Sequence, residues 1–355
     1  MDRRTFLRRS AVLLLLGGAA AFGWRTGKLP FGISDREEDR VLDRPLQAEL
    51  AQVRPVAGRR DDGALLSFFI LSDLHISHAV DYPSEKLQRA LQDIVEFETK
   101  VDALILTGDL TESGTNDDYA AFRNVMKAYA LPPIHANMGN HEYYGIWIDS
   151  HGNWNKDAMP NGKTDAEARA SFMRTFGLDK PYHSATLNGC LFLFLSQETY
   201  VQETPDVSEG AWYSDEQLRW FQQSLQSNKS MKPVFVMIHQ PLPPAGQDGG
   251  AHQLMRAKQF RDILKPYTNV FVFYGHNHQD FRNGRAHYFK ESFHLFNNSS
   301  VGRVLNRNME YKDESASQGL YVQVYRSKVV VRGRDFTNRA WLEDANWSVR
   351  LTTTQ

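Results

Sequence analysis

The chain has 355 residues, of which 41% are hydrophobic and 12% aromatic, so it can bury a large core, and disorder is excluded as its main state. Its 41 Lys and Arg residues nearly balance its 42 Asp and Glu residues, which leaves no strong signal for binding nucleic acid or an acidic membrane. The single cysteine, Cys190, lies in an apolar run and is interpreted as a buried thiol, so no intrachain disulfide can form.

The first 25 residues resemble an export signal. Arg3 and Arg4 form a twin-arginine pair, and an apolar stretch follows from residue 11 to residue 24. This stretch is shorter than the roughly 20 residues that span a bilayer, so a signal peptide is favoured over a transmembrane helix. The pattern predicts recognition by the twin-arginine export machinery and delivery to the periplasm, cell envelope or exterior. If the segment is not cleaved, it would tether the protein as its only membrane contact.

The rest of the chain divides by composition. Residues 26–64 are rich in charge and Pro and predict a linker with one short helix. The main domain is predicted at 65–340, and a C-terminal tail at 341–355. Within the domain, residues 142–180 are rich in Gly, Asn and Trp, and we interpret them as an insertion over the site. A capping box that begins at Thr164 predicts a short helix inside this insertion.

Strand and helix patterns alternate along the main domain. Continuous apolar runs predict buried strands at residues 65–71, 103–106, 134–138, 234–238 and 270–274. Helices with one apolar face are predicted between them, and the first is expected to be capped by Ser84. Asn188 and Gly189 predict a type I′ turn between two further strands, and the last 60 residues contain alternating segments typical of an antiparallel edge. The predicted fold class is mixed α/β, in layers.

Five short polar segments each follow a predicted buried strand. Their candidate ligands are Asp73, His75, Asp109, Asn140, His239, His276 and His278. Because ligands bind at the carboxyl ends of strands in open α/β sheets, we expect these side chains to converge on one crevice. Two carboxylates, one amide and four imidazoles suit divalent Mn, Fe, Zn or Co rather than calcium. Seven ligands would overfill one ion, whereas two ions that share a bridging Asp would each receive four.

The order of these segments is Asp-x-His, Gly-Asp, Gly-Asn-His-Glu, His and Gly-His-x-His, and it resembles the calcineurin-like metallophosphoesterases from Leu66 to about Phe336. The resemblance implies an αββα sandwich of mixed β-sheets and a dinuclear metal site. It assigns to one ion Asp73, His75, Asp109 and His278. It assigns to the other ion Asp109, which is the bridge, together with Asn140, His239 and His276.

The same resemblance implies hydrolysis of a small-molecule phosphomonoester or phosphodiester by in-line attack of a metal-bound hydroxide. His141 would stabilise the transition state or protonate the leaving oxygen. Purple acid phosphatases differ, because they have Asp-x-Gly first and a tyrosine where this chain has His75 and Glu112, which disfavours a redox iron centre. Two alternatives stay open. A nuclease on the same fold is disfavoured by the lack of a basic stripe, and a non-catalytic metal-binding scaffold by the complete ligand set.

Other histidines and aromatics lie near these segments. The remaining seven histidines match no ligand motif, although His78 and His252 lie in nearby loops and are candidate substrate contacts. Six aromatic residues lie in or beside the predicted insertion: Tyr143, Tyr144, Trp147, Trp154, Trp212 and Tyr213. We interpret them as packing within a long loop, with stacking on an organic substituent of the substrate as the alternative.

Overall fold

The computed structural model describes residues 44–50, 63–312 and 314–352. The predicted signal peptide at 1–25 lies outside the described residues, as does most of the predicted linker. Among the residues that are described, no helix is both long enough and apolar enough to cross a bilayer.

Two six-stranded mixed sheets form the centre of the fold. The first contains β1 (Leu66–Leu71), β2 (Ala103–Thr107), β3 (Ile134–Asn137), β10 (Gln318–Val324), β11 (Lys328–Asp335) and β12 (Ala340–Arg350). Its order is β12-β11-β10-β1-β2-β3, with β1, β2 and β3 parallel and β10 to β12 antiparallel. The predicted parallel core and antiparallel C-terminal edge therefore belong to one sheet.

The second sheet has a similar plan. It contains β4 (His183–Leu187), β5 (Cys190–Phe194), β6 (Val234–Met237), β7 (Val270–Tyr274), β8 (Tyr288–Lys290) and β9 (His294–Asn297). Its order is β4-β5-β6-β7-β9-β8, and the four central strands are parallel. Asn188 and Gly189 join β4 to β5 with φ of 49° and 79°, as the type I′ turn requires.

Helices cover the outer faces of both sheets. They are α1 (Leu46–Leu50), α2 (Tyr82–Val95), α3 (Asn116–Lys127), α4 (Asp165–Phe176), α5 (Asp215–Ser227) and α6 (Ala257–Leu264). Two short 3₁₀ helices lie at His141–Trp147 and Pro205–Val207. The first four α-helices pack against the first sheet, and α5 and α6 pack against the second. This arrangement confirms the predicted αββα layers.

The inner faces of the sheets meet in an aromatic layer. Phe68 of β1 lies with its ring centroid 5.0 Å from that of Phe192 and 5.1 Å from that of Phe235, both in edge-to-face contact. Each of these rings is fully buried, and such burial contributes roughly 1.5–3 kcal/mol per side chain. The rigid layer fixes the ends of β1 and β6 relative to each other, and these ends carry the polar segments.

The capping box at Thr164 is observed at the start of α4, but the predicted start of α2 is wrong. The helix begins at Tyr82, with Asp81 at the N-cap position, so Ser84 lies in the first turn. Pro83 accounts for the earlier start, because its fixed φ suits the first turn of a helix and its missing N–H is not needed there.

The predicted domain limits were too narrow at both ends. Leu46 and Leu50 are buried against the first sheet, and Glu49 accepts a hydrogen bond from the buried Arg123 at 2.5 Å, so this part of the predicted linker belongs to the core. The predicted tail at 341–355 is also wrong, because β12 pairs with β11 as far as Arg350. A shift in register between these strands interrupts the alternation of apolar residues in β12, which conceals the strand in the sequence.

Candidate metal centre

The five polar segments meet at one edge of the molecule. Asp73 and His75 follow β1, Asp109 follows β2, and Asn140 follows β3. From the second sheet, His239 follows β6, and His276 and His278 follow β7. The predicted convergence of these side chains is observed, because parallel strands present their carboxyl ends on the same side.

Within this cluster the donor atoms form two groups. In the first, His278 Nε2 lies 3.0 Å from both Asp73 Oδ1 and His75 Nε2, and His75 Nε2 lies 3.9 Å from Asp109 Oδ2. The candidate ligand atoms in each group lie within 4.8 Å of one another. These distances are short enough for one cation to contact every member of the group.

The second group shares Asp109 with the first. His239 Nε2 lies 3.1 Å from Asp109 Oδ2, and His276 belongs to the same group. Asn140 joins it through its Oδ1, which lies 3.0 Å from His276 Nδ1. These two groups contain the residues that the resemblance assigned to the two ions, and a third group of possible donors, His75, Glu112 and His141, lies beside them. The assignment of each residue to one ion stays a prediction.

Strained backbone turns these side chains towards each other. Positive φ angles of 50° to 67° are found at Asp73, His75, Asp109, His276 and His278. Each such angle costs roughly 1–3 kcal/mol in a residue other than glycine, and it persists only where the surroundings enforce it. Here the His276 N–H donates to Asp73 Oδ1 at 3.0 Å, and the His75 N–H to the Asp109 carbonyl at 3.0 Å.

Glycines allow the segments to approach closely. A Cβ added at Gly139 would lie 2.2 Å from Asp109 Oδ1, and one added at Gly275 would lie 2.4 Å from Asp73 Oδ2. Neither contact is sterically possible for a larger residue. These two glycines are required by the carboxylates beside them.

The electrostatics favour cation binding. Burial raises the pKa of Asp73, but His278 and His239 together outweigh this and lower the pKa below the usual range. Burial likewise opposes ionisation of Asp109, but His239 and His141 hold its pKa well below the usual range. Burial lowers the pKa of His276 to about 3. At neutral pH the carboxylates are ionised and His276 is neutral, which is the state that ligation requires.

His239 provides the best test of whether this site fits a metal. Its Nδ1 donates to the Thr107 carbonyl at 2.8 Å, so its Nε2 faces the carboxylates, where it is buried and makes no well-aligned hydrogen bond to any described residue. Burial lowers the pKa of His239, but Asp109 and Asp73 outweigh this and raise it to about 9. A cation bound between the same carboxylates would replace the proton that they attract, so the donor set fits a metal.

Glu142 fixes the loops that carry Asp109 and Asn140. It ends the Gly-Asn-His-Glu segment, although the sequence pattern predicted no role for it. Its fully buried carboxylate accepts hydrogen bonds from the backbone N–H groups of Gly139, Asp109, Leu110 and Thr111 at 2.7–3.1 Å. One side chain therefore satisfies donors from the loops after both β2 and β3.

Glu112 and Arg303 hold His75 in position from the side of the ring that faces away from the carboxylates. Glu112 Oε2 lies 3.0 Å from His75 Nδ1 and 2.6 Å from Arg303 Nη2, which directs His75 Nε2 towards the carboxylates. Burial raises the pKa of Glu112, but Arg303 and His75 outweigh it and keep the group ionised. His141 donates from Nδ1 to the Glu112 carbonyl at 2.8 Å, and its Nε2 lies 4.0 Å from Asp109 Oδ2.

Asn140 is oriented by groups that no motif indicated. Its Nδ2 donates to Glu209 Oε2 at 2.8 Å and to Tyr144 Oη at 3.0 Å. Tyr144 Oη in turn donates to Glu209 Oε2 at 2.7 Å. With its amide nitrogen used in this way, Asn140 directs its oxygen towards His276, as an oxygen ligand would require.

The two additional histidines differ in their surroundings. His78 Nδ1 lies 2.8 Å from Asp118 Oδ1, which gives the ring a structural partner. His252 is exposed, and its ring centroid lies 6.0 Å from that of His276. Its role as a substrate contact stays a prediction.

The family model for calcineurin-like phosphoesterases matches residues 66–280. The chain belongs to the calcineurin-like phosphoesterase family. This confirms the resemblance seen in the five segments, and it places the protein in a class of hydrolases that act on phosphoric esters.

Individual calcineurin-like phosphoesterases are similar over part of their length. A 3′,5′-cyclic adenosine monophosphate phosphodiesterase of Haemophilus influenzae is 24% identical over 54% of this chain and 60% of its own. A probable cyclic nucleotide phosphodiesterase of Rhodococcus erythropolis is 25% identical over 59% of this chain and 63% of its own. The alignments thus span about three-fifths of each relative.

Among solved structures, a dimetal phosphatase from Danio rerio has a similar fold. It superposes with a TM-score of 0.57 at 12% identity, covering 81% of this chain and all of that one. At this identity the likeness concerns the fold alone, and it agrees with the two layered sheets.

Proposed function

We propose that the protein hydrolyses a small phosphomonoester or phosphodiester with two divalent metal ions. The observation that carries the proposal is the pair of donor groups that share Asp109. Asp73, His75 and His278 would complete the first ion's ligands, and Asn140, His239 and His276 the second's. When bound, the ions supply Lewis acidity to the phosphoryl oxygens and a water molecule acidified towards neutral pH. Mn, Fe, Zn and Co all suit this donor set.

The protein's own groups orient the substrate and move a proton. Two divalent ions with Asp73 and Asp109 leave a net positive centre, which attracts the phosphate anion although the chain is nearly neutral. His141 is fixed by its bond to the Glu112 carbonyl and is partly exposed at 14% of its side chain. In its protonated form it donates the Nε2 proton to the leaving oxygen.

A cyclic nucleotide diester is the first substrate to test. Both relatives named above are described as cyclic nucleotide phosphodiesterases, which supports a diester over a monoester. The choice of a diester can be wrong while the proposed hydrolysis is right, since the same metal centre serves either reaction.

The activity should depend on metal with every substrate. Protein loaded with Mn²⁺ is expected to hydrolyse at least one of p-nitrophenyl phosphate, bis(p-nitrophenyl) phosphate and 3′,5′-cyclic AMP. Chelation should abolish the reaction, and added Mn²⁺ should restore it. The initial rate of product release is the measurement. Absence of turnover on all three by protein with a full metal complement would favour the scaffold, and turnover of DNA or RNA alone would favour the nuclease.

We also propose export through the twin-arginine route, on the basis of residues 1–25. The support is the pair Arg3 and Arg4 followed by a short apolar stretch. A periplasmic, envelope or extracellular location follows, with the phosphoester substrate and the export machinery as partners.

Replacing Arg3 and Arg4 together by Lys tests the route. Because the arginine pair acts as an address and lies far from the ligands in the sequence, the variant should stay in the cytoplasm with unchanged specific activity. Cell fractionation with an immunoblot measures the distribution, and a variant with both arginines intact and Arg8 replaced by Lys is the matched control. Export at the normal level despite the double change would refute the route.

A further inference from the structure

A row of three rings leads from the metal centre to the surface. The ring of His141 lies 4.0 Å from that of Tyr144, and the ring of Tyr144 lies 5.2 Å from that of Trp154. The side chain of Trp154 is 47% exposed. The first ring belongs to His141, the proposed proton donor. The row therefore starts where the reacting phosphate of a substrate would lie.

The rings are fixed in place. Tyr144 is hydrogen bonded to Asn140 and Glu209, as described above. Trp154 also lies 6.2 Å from the buried ring of Trp147. Its backbone forms an antiparallel bridge with Ile148. The loop that carries Trp154 is therefore ordered. The indole is exposed because of the way the loop folds, not because the chain is mobile.

Local hydrogen bonds hold this loop in shape. Asp149 Oδ1 accepts from the N–H groups of His151 at 2.9 Å and Asn153 at 3.0 Å. The Asn155 N–H donates to the Trp147 carbonyl at 2.7 Å. These bonds hold the indole of Trp154 at a fixed place on the surface, where a ligand could cover its exposed face.

Other aromatic residues predicted beside the site have different surroundings. Tyr143, Trp147 and Tyr213 are buried and pack within the protein, as predicted from the sequence. Trp212 is 36% exposed, but the Arg256 guanidinium lies over its ring at 5.2 Å. Trp154 therefore differs from these residues in two ways. Its ring is half exposed, and it is connected to His141 through the ring of Tyr144.

We propose that Trp154, supported by Tyr144, stacks on the base of a nucleotide substrate. The inference rests on the proposed function and adds to it the residues that would hold the base of such a substrate. A nucleotide carries its base one sugar away from the phosphorus, and Trp154 stands one side chain beyond Tyr144, which contacts His141. A tryptophan face suits this task because every base has a face that can stack.

Binding of non-hydrolysable phosphonates tests the subsite without turnover. The probes are the phosphonate analogues of AMP and of ribose 5-phosphate, which differ only in the base, and calorimetry on Mn²⁺-loaded protein gives Kd. Trp154→Ala should weaken binding of the AMP analogue about tenfold, as expected from loss of one stacked base, and change binding of the ribose analogue less than about twofold. Trp154→Phe should retain most of the affinity, and Trp212→Ala should bind as wild type does.

Two results would overturn the subsite. Equal losses for both analogues would mean that Trp154 only holds its loop, and an unchanged Kd for the AMP analogue would mean that the base lies elsewhere. The proposed hydrolysis is judged separately. Protein that binds the AMP analogue through Trp154 but turns over no phosphoester supports the subsite and contradicts the hydrolase, whereas active protein with no dependence on Trp154 contradicts only the subsite.

Discussion

Replacing His141 by alanine is expected to lower turnover by about 10²- to 10⁴-fold, the usual range for a positioned proton donor, while both metals stay bound. The His141 side chain is directed by the Glu112 carbonyl rather than by the two donor groups, so its loss leaves the seven proposed ligands in place. The measurements are kcat with a series of leaving groups and metal content by elemental analysis.

The dependence on the leaving group identifies the role. A nitrophenolate needs little protonation and an alkoxide needs much, so the loss should grow with the pKa of the leaving alcohol if His141 is the acid. A uniform loss would assign His141 to stabilising phosphoryl charge instead. His78→Ala is the matched control, since His78 bonds to Asp118. Loss of metal in proportion to activity would contradict both roles.

Replacing Asp109 by asparagine should have the largest effect, because Asp109 belongs to both donor groups. The variant is expected to lose affinity for both ions and to lose activity of the order of 10⁴-fold, the size seen when one member of a catalytic unit is removed. Asparagine has nearly the same shape, so the fold is retained while the shared negative charge is lost. Metal titration followed by calorimetry measures both affinities.

Asn140→Ala provides the comparison for Asp109→Asn. Asn140 contacts the second group only, through His276, so this variant should weaken one ion and leave the other. If Asp109→Asn also weakened a single ion, Asp109 would not be the bridge. A normal far-ultraviolet circular dichroism spectrum for both variants excludes unfolding as the cause.

The sequence predicts much of the centre because its ligands come directly after buried strands. A continuous apolar run such as β1 identifies a central strand, and the end of that strand fixes where Asp73 and His75 lie. The parallel order then brings Asp109 and Asn140 to the same edge. The glycines add to this signal, since Gly139 and Gly275 leave no space for a Cβ.

Groups that act through tertiary contacts could not be found in this way. Arg303 reaches Glu112 from the loop after β9, and Glu209 reaches Asn140 from the segment before α5. Both residues lie in segments without strong periodicity, and their partners are distant in the chain. The same reason explains why α1 was predicted as part of the linker. Its apolar pattern is too short to identify a core helix, and its role is evident only from the burial of Leu46 and Leu50 in the core that includes the first sheet.

Counting metal ions in the active protein shows whether the centre is dinuclear. Purified protein would be loaded with Mn²⁺, freed of excess metal, and analysed for metal per chain alongside its rate of phosphoester hydrolysis. Because two donor groups share Asp109, activity is expected to reach its maximum at two ions per chain. Full activity with one ion per chain would contradict this expectation.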